Sequence, residues 1–288
     1  MPVTTIILPI SREQHLLKVF ASLELLECDR ERTSLLAFVD GEADLYMTAR
    51  NLVEQSKFAE RLCFQGNIPG ERREFSINTR RRRIAAIHNE IQKLIKPCEY
   101  VFLIEDDGVL PSDALSRLSA DYQAHPFAGF IEGVELGRWG IPHVGAWRAD
   151  DVYDMKRLES AIPARPELLN DAGRAIGSVP DHVVEEIDAG GLYACLTRYR
   201  HYVDHEFQPY EGCAFGPDVE WGISLRQQGY RNYLDWSVAV VHCRPDGTGV
   251  HPRSTTPVQM RFAKKADAWR GELIAIKSDG IFGLFQVS

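Results

Sequence analysis

The segment Tyr100-Val-Phe-Leu-Ile-Glu-Asp-Asp-Gly-Val-Leu-Pro111 constrains this chain more than any other. Tyr100 to Ile104 is an unbroken aromatic and aliphatic run bounded by polar residues, the form of a strand buried on both faces in a parallel sheet. Glu105, Asp106 and Asp107 follow at its carboxyl end. Open α/β sheets bind ligands outside the carboxyl ends of their strands. Hard divalent cations take oxygen ligands and bridge carboxylates to substrate phosphates. The triplet is therefore a candidate metal–diphosphate site. The competing reading is a solvated turn shaped by Gly108 and Pro111, with Ser112 capping the next helix.

At 288 residues the chain has room for one large α/β domain or two small ones, with a real core. Its 44% apolar and 26% charged residues are those of an ordinary globular protein. A net charge of −8 argues against broad binding to nucleic acid or anionic membranes, although it leaves room for a local basic patch. No apolar run approaches the roughly 20 residues that span a bilayer, and the N-terminus lacks a basic segment followed by an apolar core. The expected location is cytoplasmic. Cys28, Cys63, Cys98, Cys195, Cys213 and Cys243 are scattered without a C-x-x-C pair, so buried free thiols are expected rather than a zinc ribbon or redox motif.

Along the chain, Thr4 to Pro9 reads as a first strand and Ser11 to Glu27 as an amphipathic helix with Leu16, Leu17, Phe20, Leu23 and Leu26 on one side. Leu35 to Val39 makes a second strand, and Asp40-Gly41 again puts an acid at its carboxyl end. Thr48 to Phe58 reads as helix, Arg61 to Gln65 as a short strand and Asn67 to Gly70 as a turn. Ile84, Ile87, Ile91, Leu94 and Ile95 keep helical spacing within Ser76 to Ile95, which puts Arg80 to Arg83 in or just before the first turns. Four adjacent arginines cannot share one face. A solvated basic face and a phosphate contact by one or two of them both remain open. A helix over Ser112 to Ala124 and a strand over Phe127 to Ile131 complete the alternation expected of βαβ units.

Glu132 to Glu186 breaks that pattern. It is rich in Gly, Pro and Trp, and only Asp151 to Ala161 looks helical. Long irregular inserts often carry function, so acceptor contacts are expected here. Ile187 to Leu196 reads as a glycine-kinked strand, and Asp218 to Gln228 as a helix closed by Gly229. Tyr230 to Tyr233 and Ser237 to Val241 read as strands, the second delivering His242. Arg244 to Arg253 is loop by composition; the tail from Thr256 has a helical stretch to about Trp269 and a last strand near Gly280 to Val287.

Asp40, Glu105-Asp106-Asp107 and His242 thus stand at strand ends, with Gly216-Pro-Asp-Val-Glu-Trp-Gly-Ile-Ser-Leu-Arg-Gln-Gln-Gly-Tyr230 before the last of them. Together these resemble the nucleotide-sugar glycosyltransferases of the GT-A fold, close to the family 2 group, from Thr4 to about His242 with the insert unmatched. The resemblance implies a Rossmann-like, mostly parallel central sheet flanked by helices, with a small irregular acceptor-side region. Residues 1–243 would form the catalytic domain: a nucleotide-binding half to 131, the insert over 132–186 and an acceptor and base half over 187–243. Residues 244–288 would be a loop and tail packed on it.

The same resemblance implies roles. Glu105-Asp106-Asp107 looks like the D-x-D motif with Glu105 in place of the first aspartate. It implies metal ligation by Glu105, Asp107 and His242, with Mn²⁺ or Mg²⁺ as cofactor, and a donor contact by Asp106. Pro9 would border the nucleotide pocket and Asp40 would bond the base or ribose. Asn89 falls near the family's Arg-Asn pair, but His88 stands where the arginine would be, and Arg83 or a neighbour is expected to supply that charge. Asp218 and Glu220 match the acidic pair before the late helix, Pro217 replacing the usual first acid, and Asp218 is the expected base. Arg244, His251 and Arg253 would close over the diphosphate.

The implied reaction takes a sugar from a nucleotide-diphosphate donor, UDP-sugar favoured over GDP-sugar, to a hydroxyl with inversion. A glycan, small-molecule or protein acceptor is expected ahead of nucleic acid. Two other classes stay open. A nucleotidyltransferase shares the sheet and acids but is expected to carry a glycine-rich basic loop after its first strand, where this chain has Pro9-Ile-Ser-Arg-Glu13. A non-catalytic glycan-binding domain would use the acids for Ca²⁺ and the tryptophans for stacking.

Overall fold

A computed structural model describes residues 3–68, 77–137, 143–149, 152, 158–163, 183–208, 216–252, 257–265, 268–277 and 280–287. The chain opens with β1 (Thr4–Ile10), α1 (Leu16–Leu25), β2 (Thr33–Val39), α2 (Ala43–Gln55) and β3 (Glu60–Gln65). Next come α3 (Ile77–Leu94), β4 (Tyr100–Ile104), the two-residue β5 (Gly108–Val109), α4 (Ala114–Ala124) and β6 (Ala128–Val134). Strands β7 (His143–Ala149), β8 (Leu158–Pro163), β9 (Val184–Ile187), β10 (Ala189–Gly190) and β11 (Ala194–Arg198) precede α5 (Tyr199–Val203) and α6 (Pro217–Gln227). Strands β12 (Arg231–Ala239), β13 (Val241–Cys243), β14 (Thr248–Val250), β15 (Val258–Lys265), β16 (Ala268–Lys277) and β17 (Gly280–Val287) follow.

The central sheet has the order β3-β2-β1-β4-β11-β6-β12-β9. β3, β2, β1 and β4 run parallel, as do β6 and β12, while β11 lies antiparallel between β4 and β6. Because side chains alternate across a strand, its two faces build two cores. Ile6, Leu8 and Ile10 pack with Leu16, Phe20, Val53 and Leu118 of α1, α2 and α4. Ile7, Leu36 and Leu103 pack on the other face with Ile87 and Ile91 of α3 and Trp221 and Leu225 of α6. The all-buried runs of β1, β2 and β4 follow from that two-sided cover. No helix among the described residues is long and apolar enough to cross a membrane.

Several expected elements differ. α1 starts at Leu16, not Ser11, because the Ser11 and Arg12 amides bond to Asp106 instead of entering a helix. The insert is not irregular throughout: β7 pairs with β8 and β10. Leu158 to Ala161, expected in a helix, lies in β8, where pairing with β7 overrides a short helical pattern. The two strands expected around Asp235 are one, β12, since Asp235 accepts bonds from the Ser237 amide (2.7 Å) and hydroxyl (2.6 Å) and bends the strand without ending it.

Downstream of Cys243 the corrections are larger. The stretch expected as loop from Arg244 contains β14, joined to β13 by a hairpin in which Asp246 accepts from Thr248 and Gly247 takes φ +85°. Asp-Gly is a hairpin signal in its own right. The expected helix up to Trp269 is the β15–β16 hairpin, paired from Val258↔Ala275 to Lys265↔Ala268. Val258 and Met260 are buried while Gln259 between them is exposed, a period of two that suits a strand. These strands form the second sheet, β17-β16-β15-β14-β13-β5, so the tail joins the acid-bearing segment through β13.

Trp221 is fully buried, stacks on Phe130 at 5.4 Å and donates its indole N–H to the His201 carbonyl at 3.0 Å. Trp221→Ala is expected to lower stability by about 3–5 kcal/mol, measured by urea unfolding. A loss below about 1 kcal/mol would contradict its place in the core.

Candidate functional site

Parallel pairing places the ends of β1, β2 and β4 side by side, so the residues just beyond them share one edge of the sheet. A cavity of about 460 Å³ opens there, lined by Pro9, Ser11, Arg12, Asp40, Arg80, Arg83, His88, Glu105, Asp106, Leu192 and Asp218, among others. That volume lies in the range of small-ligand sites.

Asp106 organises the first wall. Its Oδ2 accepts from the Ser11 amide (2.7 Å), the Arg12 amide (2.9 Å) and the Ser11 hydroxyl (3.0 Å). Its Oδ1 accepts from Arg12 Nε (3.2 Å) and Nη2 (2.5 Å). Both oxygens are therefore engaged within the protein. Asp40, 4% exposed, meets Arg83 through both of its oxygens, a fork-to-fork pair. Of the arginine run, Arg83 and Arg80 line the cavity. His88, buried and bonded through Nδ1 to the Tyr202 hydroxyl at 3.0 Å, has its pKa lowered to about 4 by burial, so it is neutral at physiological pH.

The second wall joins distant residues. β5 pairs with β13, His242 opposite Gly108, and the Cys243 amide donates to the Asp107 carbonyl at 2.8 Å. This brings His242 Nε2 to 3.3 Å from Asp107 Oδ2, which Arg12 Nη2 also approaches at 3.0 Å. His242 Nδ1 lies 3.1 Å from the Leu136 carbonyl. With Nδ1–H donating there, a neutral imidazole turns the Nε2 lone pair toward a carboxylate oxygen. Two acceptors at that spacing suit a proton or a metal ion between them. A divalent ion held by this pair would draw its other ligands from phosphate and water, as Mg²⁺-type ions do. Among the described residues no group of three or more His, Cys, Asp or Glu side chains has metal-holding geometry.

Asp218 forms the third wall in the first turn of α6. Burial pushes its pKa up from the ordinary 3.8, against the backbone amides around Val219 and the charges of Arg81 and Arg80. Glu220, two residues on, is committed to His205 at 2.9 Å. Asn89 bonds the Phe207 backbone in both directions at 2.9 Å and so serves the packing behind the cavity. Arg244 sits in the β13–β14 hairpin, its amide bonded to the Thr248 carbonyl at 2.7 Å, and that hairpin is tied to α1 by Lys18 and Gln14. His251 is buried just after β14. Residues 244–252 are thus a paired hairpin and not an open loop over the cavity. Arg253 lies outside the described residues.

Four polar residues at this site were not singled out from the sequence: Arg12, Glu132, Glu135 and Tyr193. Glu132 and Glu135 are 1% and 4% exposed at the end of β6, and burial drives both carboxyls well above the ordinary range. A strand-end acid was the available signal, as at Asp40 and Glu105.

Known structures supply the comparison. The chain superposes on GalNAc-T7 with UDP, GalNAc and Mn²⁺ at a TM-score of 0.57 and 11% identity, over 84% of this chain and 44% of that one. It superposes on the mannosyltransferase PcManGT from Pyrobaculum calidifontis, in complex with GDP-Man and Mn²⁺, at 0.51 and 12% identity, over 82% and 56%. The fold is GT-A. A197 from STIV is matched over 97% of its length and 92% of this chain, with a TM-score of 0.48 and 11% identity. The chain spans about half the length of the two glycosyltransferases. No family model matches the sequence, and no curated protein resembles it in sequence.

Within this GT-A fold the Asp40–Arg83 pair is the wall most exposed to a single change. Arg83→Leu leaves a buried carboxylate without its guanidinium and is expected to cost about 3–5 kcal/mol by urea unfolding. Arg83→Lys, which keeps the charge and loses the fork, is expected to cost less. Equal stability of Arg83→Leu and the parent chain would show the pair to be dispensable.

Proposed function

We propose that this chain is a glycosyltransferase that moves a sugar from a nucleotide-diphosphate sugar to a hydroxyl acceptor, with inversion and with Asp218 as base. The observation that carries the reading is the convergence of Asp40, Glu105, Asp106, Arg80 and Asp218 on one cavity at the carboxyl edge of a GT-A sheet. The neighbours in fold hold UDP and GDP-Man, which supports a nucleotide-sugar donor; UDP-sugar is our favoured donor, with GDP-sugar second.

The chemistry asks for three things. The leaving nucleotide diphosphate gains charge and needs cations beside it, a role for Arg80 and Arg12 at the cavity wall. A divalent ion on Asp107 and His242, when bound, would add Lewis-acid stabilisation to that charge. The acceptor hydroxyl needs a carboxylate within hydrogen-bond reach to take its proton as it attacks. Asp218 is a carboxylate of the cavity lining, drawn toward its charged form by Arg81 and Arg80. Attack from that side on the anomeric carbon inverts its configuration in one displacement.

Asp218→Asn is expected to keep nucleotide binding and to lower turnover by about 10²–10⁴. Unchanged turnover would move the base to Glu220 or indicate retention. Asp218 works ionised and burial raises its pKa, so protonation sets in at higher pH than for an ordinary aspartate. The acid limb of kcat is therefore expected above pH 3.8, measured across a buffer series. Asp107→Ala is expected to remove the gain in UDP or GDP affinity that Mn²⁺ provides, read by isothermal titration with and without the ion. If neither nucleotide binds the parent chain, the transferase reading fails.

A further inference from the structure

We propose that the acceptor carries a protonated amine, and that Glu132, Tyr193 and Asp218 form the subsite that receives it. The inference rests on the transferase reading for the word acceptor, but the amine site stands on its own observations.

Glu132 lies within β6, paired with Cys195 on one side and Leu234 on the other, and is 1% exposed; among the described residues neither carboxylate oxygen has a hydrogen-bond partner in line, and the Gly191 backbone favours its charge. The Tyr193 hydroxyl, in a residue 5% exposed, is likewise without a partner. Buried polar groups are nearly always satisfied, so two orphans side by side call for an occupant. Room for these groups is built in by small residues. A methyl group at Gly190 would overlap the Glu132 carboxylate, and one at Gly145 would overlap the Tyr193 hydroxyl. Asp218 and Leu192, the residue before Tyr193, line the cavity, so the orphans sit just behind its wall.

Charge selects the occupant. Asp218 adds like charge to Glu132, and Tyr193 also faces Glu135 and Glu105. Arg12 acts on Glu135, and Arg80 and Arg81 act on Asp218, but no cation among the described residues acts on Glu132. A neutral hydroxyl would satisfy a hydrogen bond and leave that excess in place. An ammonium supplies both donors and counter-charge. A metal ion is disfavoured because no metal-holding group exists among the described residues. Burial pushes Glu132 well above the ordinary carboxylate range, and a cation in contact is what reverses such a shift.

The test is isothermal titration of the full chain with glucosamine, glucose and N-acetylglucosamine, each with and without UDP and Mn²⁺. Glucosamine is expected to bind at least about tenfold more tightly than either neutral sugar. Glu132→Gln is expected to abolish that preference, and Tyr193→Phe to lower glucosamine affinity several-fold, both variants being checked for folding by circular dichroism. Equal affinity for glucosamine and glucose, no binding of glucosamine, or a preference that survives Glu132→Gln would overturn the proposal. Absence of UDP binding to the parent chain would sink the transferase reading while leaving the amine preference to be read in the same titrations.

Discussion

The carboxylate of Asp106 is the contact on which the geometry of the cavity depends. A parallel sheet aligns strand ends but does not direct the chain that leaves them. Five bonds from Ser11 and Arg12 to two oxygens supply that direction, drawing the chain after β1 across the end of β4. The same bonds delay α1 and aim Arg12 at Asp107. Asp107 in turn holds β13 through its carbonyl. Two adjacent acids therefore tie together the first strand, the fourth and the second sheet.

The first half of the chain, through β4, was legible because its signals are local. Buried runs such as Leu35 to Val39 and Val101 to Ile104 leave few alternatives to a parallel strand, and each ends at an acid, Asp40 or Glu105, that marks its carboxyl end. Asp40, Glu105 and Asp106 were found by that rule, and Asp218 by the acidic pair at the start of α6. The metal-side pairing of Asp107 with His242 rests on a strand of two residues, β5, whose existence no periodicity announces. The sequence expectations failed where pairing outvotes local pattern, as in β8 and β15, and where an acid inside a strand imitates its end, as Asp235 does in β12. Asn89 matched a motif position, yet its amide is fully used by Phe207, something only the fold can reveal.

Charge in the site is divided rather than neutralised everywhere. On the α3 side, Arg83 is locked to Asp40 while Arg80 faces the cavity, and His88 contributes no charge because burial keeps it neutral. On the β6 side, acids gather with Arg12 acting on Glu135 and no cation among the described residues acting on Glu132. A buried pair such as Asp40–Arg83 adds little net stability but fixes geometry, whereas the acidic side carries unmet electrostatic demand. On the proposed reading, one side suits a departing anion and the other an arriving cation, so the polarity of the cavity sets the direction in which the two substrates lie.

The pairing of β5 with β13 bears on how the site comes into being during synthesis. Asp107 leaves the ribosome long before His242, and the sheet of β1 to β4 with its helices is chemically complete in the meantime. The acid stretch must then wait, with its Asp107 carbonyl lacking the Cys243 amide, until the hairpin of β13 and β14 arrives to close it. A folded first half is thus possible in a nascent chain whose cavity edge is unfinished, and the Asp107–His242 approach becomes a property of the completed molecule.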